Sequence, residues 1–235
     1  MTRTARAAQT TSGRSPAATR SLLYGCFAES FSYPLGELLE HIRAAVLADR
    51  LCDLLGELDQ PLLETVDVPA LCDAGKEEDS LAVEYTRLFD AGLSGPVCAL
   101  AGGVHHGPQM QTMEEVLRFY NHFGLTIAPQ MRELPDHITA ELEFLHFLTY
   151  GESELACRGE DVAAYQRAQR DFIARHPGRW VPRMREKLQR ATPMPFYREL
   201  ARLLERFLLT ELERLQVLHG RASLKPIGVI ASVDV

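Results

Sequence analysis

The chain has 235 residues, 46% of them hydrophobic and 24% charged, a balance that fits one domain with a sizeable core and excludes wholesale disorder. Its formal net charge of −7 argues against a nucleic-acid partner held by a basic surface, and no apolar run approaches the ~20 residues of a membrane-spanning helix. Cys26, Cys52, Cys72, Cys98 and Cys157 stand at irregular spacing with no C-x-x-C pair, which speaks against a disulfide framework or structural zinc and fits a reducing compartment.

Residues 1–20 hold Arg3, Arg6, Arg14 and Arg20 and no acid. No apolar stretch with a small-residue cleavage site follows, and there is no Arg-Arg pair, so residues 1–19 read as a disordered basic tail rather than an export signal. Helices are expected over 20–32 and 35–55, broken at Tyr33-Pro34 because a residue before proline avoids the α region. A short turn of helix fits 62–66, before Pro69. Over 80–89, Leu81, Tyr85 and Leu88 repeat at helical spacing behind Asp79 or Ser80 as a cap. Residues 91–109 read as a loop rich in glycine, proline and small side chains, long enough to point to a functional role.

Thr112-x-x-Glu115 has capping-box spacing and opens a helix with Met113, Leu117 and Tyr120 inward and Gly124 as its stop. A further helix is expected over 135–150, another over 161–176 ended by Pro177-Gly178, and a shorter one over 182–190. Pro195 starts a long helix with Leu200, Leu204, Phe207, Leu208 and Leu215 on its buried side. Gly220, Pro226 and Gly228 make residues 219–235 a tail. With no alternating strand pattern and no internal repeat, the chain reads as an all-α, single-domain helical bundle over 20–218.

The most informative stretch runs from Glu133 to Phe144, with Pro135 expected at the first helical position, where its missing N–H costs nothing. Asp136 follows in the first turn, where the helix dipole favours negative charge. Ile138, Leu142, Leu145 and Thr149 form one buried stripe. His137 and Glu141 sit four apart on a neighbouring face beside Phe144 and Leu148. Acids, an imidazole and an exposed aromatic at one helix end suit a ligand that is cationic and partly apolar. The plainer readings are a helix-start acid at Asp136, a surface contact between His137 and Glu141, and Leu88 in the core with Phe89 available.

Catalytic readings find less support. Glu143-x-x-His146 has the spacing of a dimetal ligand pair, but no second copy exists. His105-His106 lacks a carboxylate or cysteine at ligand spacing and reads as an exposed or capping pair. Nucleophile motifs are absent, and the glycines at 92–95 and 101–103 lack a P-loop lysine. The leading rival class is therefore a helical metal-dependent enzyme using Glu143, His146, His137 and Glu141. A third is a permanent structural subunit of an oxidoreductase.

The Glu133–Phe144 run closely resembles the signature of the TorD/DmsD/NarJ-like family of redox-enzyme maturation chaperones. Three more runs occur in the family's order: Glu84-Tyr85-Thr86-Arg87-Leu88-Phe89 followed by Gly95-Pro96, then Phe119-Tyr120-Asn121-His122-Phe123-Gly124-Leu125, then Phe172, His176, Trp180 and Pro182. Each is weak alone, whereas the ordered set is specific. The resemblance implies an all-helical cytoplasmic chaperone, not an enzyme and without cofactor or metal. Its partners would be the twin-arginine leader and apo catalytic subunit of a molybdopterin oxidoreductase, held until the cofactor is inserted. Monomer and domain-swapped dimer are both open. Leader contacts are implied at Tyr85, Leu88, Phe89 and Pro96, and at Asp136, His137 and Glu141, with Trp180 structural. The loop text Gly92-Leu93-Ser94-Gly95-Pro96 is similar to the branch serving type II enzymes of the dimethyl-sulfoxide-reductase family.

Overall fold

The computed structural model describes residues 14–90, 95–126 and 133–224. Ser15 caps the first helix, its Oγ accepting the Ala18 N–H at 3.2 Å, and Pro16 takes the first position. The helix, α1 (Pro16–Ser30), thus starts earlier than residue 20, because serine followed by proline is a strong N-terminal signal inside the arginine-bearing stretch. The expected 35–55 helix divides into α2 (Glu37–Arg43) and α3 (Val46–Leu58). The break falls at Ala45, whose φ of 62° no helix accommodates. Two single turns follow, α4 (Gln60–Leu63) and α5 (Val68–Leu71), each capped by an aspartate, Asp59 and Asp67.

The Ser80 helix, α6 (Ser80–Tyr85), widens into a π-helical turn over Thr86–Asp90. A 3-10 turn, Gly102–Val104, interrupts the long loop. Helix α7 (Gln109–His122) begins at Pro108 rather than at a capping box, since Thr112 Oγ1 bonds back to the Pro108 carbonyl. Its inward face is Thr112, Val116, Phe119 and Tyr120, while Met113 and Leu117 are only half-buried. Gly124, with φ 72°, closes it as expected.

The signature helix, α8 (Ile138–Cys157), starts three residues later than Pro135 and ends later than Tyr150. Then come α9 (Ala163–Arg175), α10 (Pro177–Ala191) and α11 (Pro195–His219). Helix α9 ends just before Pro177 as expected, with His176 as its non-helical C-cap, but the same proline opens α10 at its first position, so the helix expected over 182–190 starts earlier and Pro182 lies inside it. Among the described residues no strand forms, and an isolated antiparallel bridge joins Ala101 to His137.

The bundle is all-α. Helix α1 packs along α8 and α3, and α11 packs on α10 and α9, with α9 against α8. One continuous core runs through these helices, with the Ile138, Leu142, Leu145 and Thr149 stripe fully buried, as are Leu200, Leu204, Phe207, Leu208 and Leu215. Within it Phe119, Phe144, Phe172 and His176 meet edge-to-face, with Tyr120 tilted against Phe144. Phe144 and Leu148 are therefore core residues, not an exposed face. Among the described residues no helix is long and apolar enough to cross a membrane.

Candidate functional site

Two histidines and two glycines of the long loop fold inward. Gly102 lies so close to Trp180 that an added Cβ would meet the indole nitrogen at 2.8 Å, and one on Gly103 would meet the Gln109 Cα at 2.7 Å. This close approach lets the loop zip onto the lead-in to α8: Gly102 N–H donates to the Asp136 carbonyl and Ile138 N–H to the Leu100 carbonyl, both at 2.8 Å. Tyr120 OH pins the same lead-in through the Pro135 carbonyl at 2.9 Å.

The zipper covers two acids. Asp136 is fully buried, with Oδ2 accepting the Gly103 N–H at 2.7 Å. Glu141 is also fully buried, and its Oε2 accepts the Trp180 indole N–H at 2.9 Å. Burial pushes the Asp136 carboxyl upward against the Gly103 hydrogen bond. It pushes Glu141 well above the ordinary carboxylate range, with Asp136 adding to the rise and the Trp180 bond opposing it. Neither acid reaches the surface. Asp136 precedes the helix rather than sitting in its first turn, and His137 is the N-cap. Nor do His137 and Glu141 form a surface pair.

The accessible site lies on the other side of this zipper. A cleft of about 430 Å³ is walled by Phe31 and Tyr33 past α1, Tyr85, Phe89 and Asp90 of the α6–π segment, residues 99–101, and Glu133, Leu134, His137 and Thr139. Tyr85 stacks edge-on with Tyr33 at 5.1 Å and Phe89 at 4.9 Å, and its OH donates to the Phe31 carbonyl at 3.1 Å. The π-turn brings both Leu88 and Phe89 inward, instead of one of them. Leu88 is wholly buried and Phe89, 6% exposed, packs on Tyr197.

His137 Nδ1 accepts from the Thr139 backbone at 3.4 Å and lies 2.7 Å from its hydroxyl. Burial lowers its pKa, so the ring is neutral and its proton is assigned to Nε2. Asp90 and Glu133 are exposed and make no ion pair or hydrogen bond with any described residue. Partial burial pushes the Asp90 carboxyl upward.

Of the residues expected at the site, the cleft thus gathers Tyr85, Phe89 and His137. Leu88, Asp136 and Glu141 face the core, and Pro96 is exposed but outside the lining. The charge comes instead from Asp90, next in sequence to Phe89, and Glu133, the first residue of the signature run. Glu133 and Leu134 also wall a second, apolar cleft of about 250 Å³ with Tyr120, Leu125, Phe144 and Phe147.

Glu84 does not join the site. It grips Arg87 through two bonds of 2.7 Å and also meets Thr192, tying α6 to the end of α10. The rival metal set is dispersed: Glu141 serves Trp180, His146 Nδ1 lies 2.8 Å from the Ser21 hydroxyl, and Glu143 is exposed. Among the described residues no group of three or more His, Cys, Asp or Glu could hold a metal ion.

Residues 34–186 match the family model described as nitrate reductase delta subunit. The chain is 39% identical over 133 residues to the perchlorate reductase assembly chaperone protein of Dechloromonas aromatica, covering 56% of this chain and 59% of that protein. It is 34% identical over 122 residues to the selenate reductase assembly chaperone protein of Thauera selenatis, covering 51% and 63%. It therefore spans about three fifths of the length of these curated relatives. To the chaperone protein TorD of Vibrio parahaemolyticus it is 26% identical over 197 residues, covering 80% and 90%. A solved structure of a candidate redox enzyme maturation protein from Archaeoglobus fulgidus aligns over 87% of this chain and 99% of its own at 20% identity and a TM-score of 0.45, too remote to inform the site. Matched over well more than half its length, the chain belongs to the nitrate reductase delta subunit family, the TorD/NarJ-like group of redox-enzyme maturation proteins.

Proposed function

We propose that this protein is a cytoplasmic, non-catalytic assembly chaperone for a molybdopterin oxidoreductase. It binds the twin-arginine leader of the apo catalytic subunit and holds that subunit until the cofactor is in place. The observation that carries the reading is the cleft in which two exposed carboxylates, Asp90 and Glu133, unpaired among the described residues, stand beside an aromatic wall of Tyr33, Tyr85 and Phe89. Guanidinium groups fork onto carboxylates and stack on aromatic faces, so an arginine pair followed by apolar residues matches both halves of the surface. The names of the relatives, assembly chaperones of perchlorate and selenate reductases, support the same partner class.

The affinity follows from opposing terms. Burying about 400 Å² of apolar leader surface is worth on the order of 10 kcal/mol, and ordering a disordered leader takes back several, leaving micromolar binding. Such affinity holds the leader yet releases it. Calorimetric titration with a synthetic leader tests the reading. Micromolar binding that disappears when both arginines become alanine is expected; equal binding of both peptides removes the leader from the account.

A further inference from the structure

On the opposite side of the loop zipper, the N-termini of α7 and α10 converge on a cleft of about 230 Å³ that includes His106, Thr112, Glu115, Arg175, His176 and Arg179. Neither helix has a side-chain cap: α7 begins at Pro108 and α10 at His176, with no hydrogen bond from either cap side chain. The first turn of α7 presents unpaired N–H groups to this space; α10 opens on Pro177, which has no N–H, and its Arg179 N–H is bonded to the His176 carbonyl at 2.9 Å, so α10 adds only the positive end of its dipole.

The side chains add to this. His176 is 1% exposed, and neither of its ring nitrogens has a partner. A buried imidazole with both nitrogens unpaired costs stability unless a ligand or water supplies the missing bonds. His106, 9% exposed, sets Nε2 3.3 Å from the Arg175 carbonyl and leaves Nδ1 unpaired. Arg175 is neutralised by Glu115 and also donates to the Ser223 carbonyl at 2.5 Å. The Arg179 guanidinium is exposed and makes no ion pair or hydrogen bond among the described residues. The cleft therefore keeps a net positive charge after the Arg175–Glu115 pair is counted. The nearby guanidinium groups also help hold both imidazoles below their ordinary pKa, behind the larger effect of burial.

We propose that this cleft is a second ligand site, for a small oxyanion of the phosphate class, bound through Arg179, His106, His176 and the first turn of α7. Free phosphate and a phosphate monoester share the recognised group, and the volume leaves room for a small ester. The site is independent of the leader cleft, from which the zipper and the buried Asp136 separate it.

Thermal shift and calorimetry of the full chain with orthophosphate, with glycerol 3-phosphate and with chloride at matched ionic strength form the test. Saturable stabilisation by one or both phosphates, absent with chloride, is expected. Arg179→Gln, at an exposed position, should weaken it about tenfold, as expected for loss of a charge-assisted contact. The histidine ring resonances of His106 and His176 should move on binding in the wild type. A stronger response to the ester identifies a phosphorylated small molecule as the ligand, and an equal or stronger response to orthophosphate identifies the free ion. No saturable response, or a response that Arg179→Gln leaves unchanged, overturns the proposal.

Discussion

Glu133→Gln and Asp90→Asn each remove one charge from the leader cleft without changing its shape. Because both carboxylates are exposed, each change should weaken leader binding only about three- to fivefold, the scale of a surface ion pair, with melting temperature unaffected. Asp136 behaves oppositely. Asp136→Ala strips the Gly103 N–H of its buried acceptor and should destabilise the fold by about 1 to 3 kcal/mol, which urea unfolding reads directly. Glu141 carries a pH signature. Its folded pKa lies well above 4.5, so the folded state retains a proton that the unfolded chain gives up. The stability tied to Glu141 is fully present below its unfolded pKa and is lost as pH rises from there toward the folded value. Glu141→Gln keeps an acceptor for Trp180 and should flatten that loss in urea melts taken at rising pH. His176 works the other way: burial lowers its pKa from 6.5 to about 3, so its contribution is present above pH 6.5 and is lost as pH falls toward 3.

Element positions were largely legible from periodicity, because the core stripes of α8 and α11 are regular, and from Pro195, which opens α11; Pro16 and Pro177 also open helices, but Pro16 lies in a stretch that reads as a tail and Pro177 reads only as the end of α9. Pro135 misled because the same residue suits a turn just before an N-cap. The Ala101–His137 bridge that holds that turn is a contact between segments 36 residues apart, invisible to local pattern. For the same reason Asp136 and Glu141 looked exposed: the loop that covers them is tertiary. The histidine pair at 105–106 is buried rather than exposed, with His105 stacked on Trp180 at 5.2 Å. Tyr85 and Phe89 were recoverable from the resemblance, whereas Asp90 and Glu133, unremarkable surface acids in sequence, needed the fold to set them together. Residues 92–94 of the loop text that implied a branch lie outside the described residues. Two element-scale predictions follow from geometry. Leu142→Ala in the α8 stripe should cost about 2 to 5 kcal/mol. Ala45→Gly should stabilise the α2–α3 junction by about 0.5 to 1 kcal/mol, since φ 62° strains any side chain but suits glycine; thermal melts distinguish the two signs.

For the whole molecule, the arrangement is a helical bundle with the proposed leader cleft assembled from four remote segments, of which the α6–π turn is latched to α10 through Glu84, Arg87 and Thr192. A ligand that binds only this assembled cleft stabilises the fold by mass action, so leader should raise the melting temperature in proportion to its saturation. Because the acids are exposed, that binding should weaken as ionic strength shortens the Debye length toward ~8 Å. The most direct measurement is a calorimetric titration of a twin-arginine leader into the wild type and the Asp90→Asn, Glu133→Gln double variant, at low and physiological salt. Micromolar binding by the wild type is predicted, with an affinity about tenfold lower and nearly salt-independent in the folded double variant. A folded double variant that binds leader as tightly as the wild type, with the same salt dependence, would contradict the assignment of this cleft.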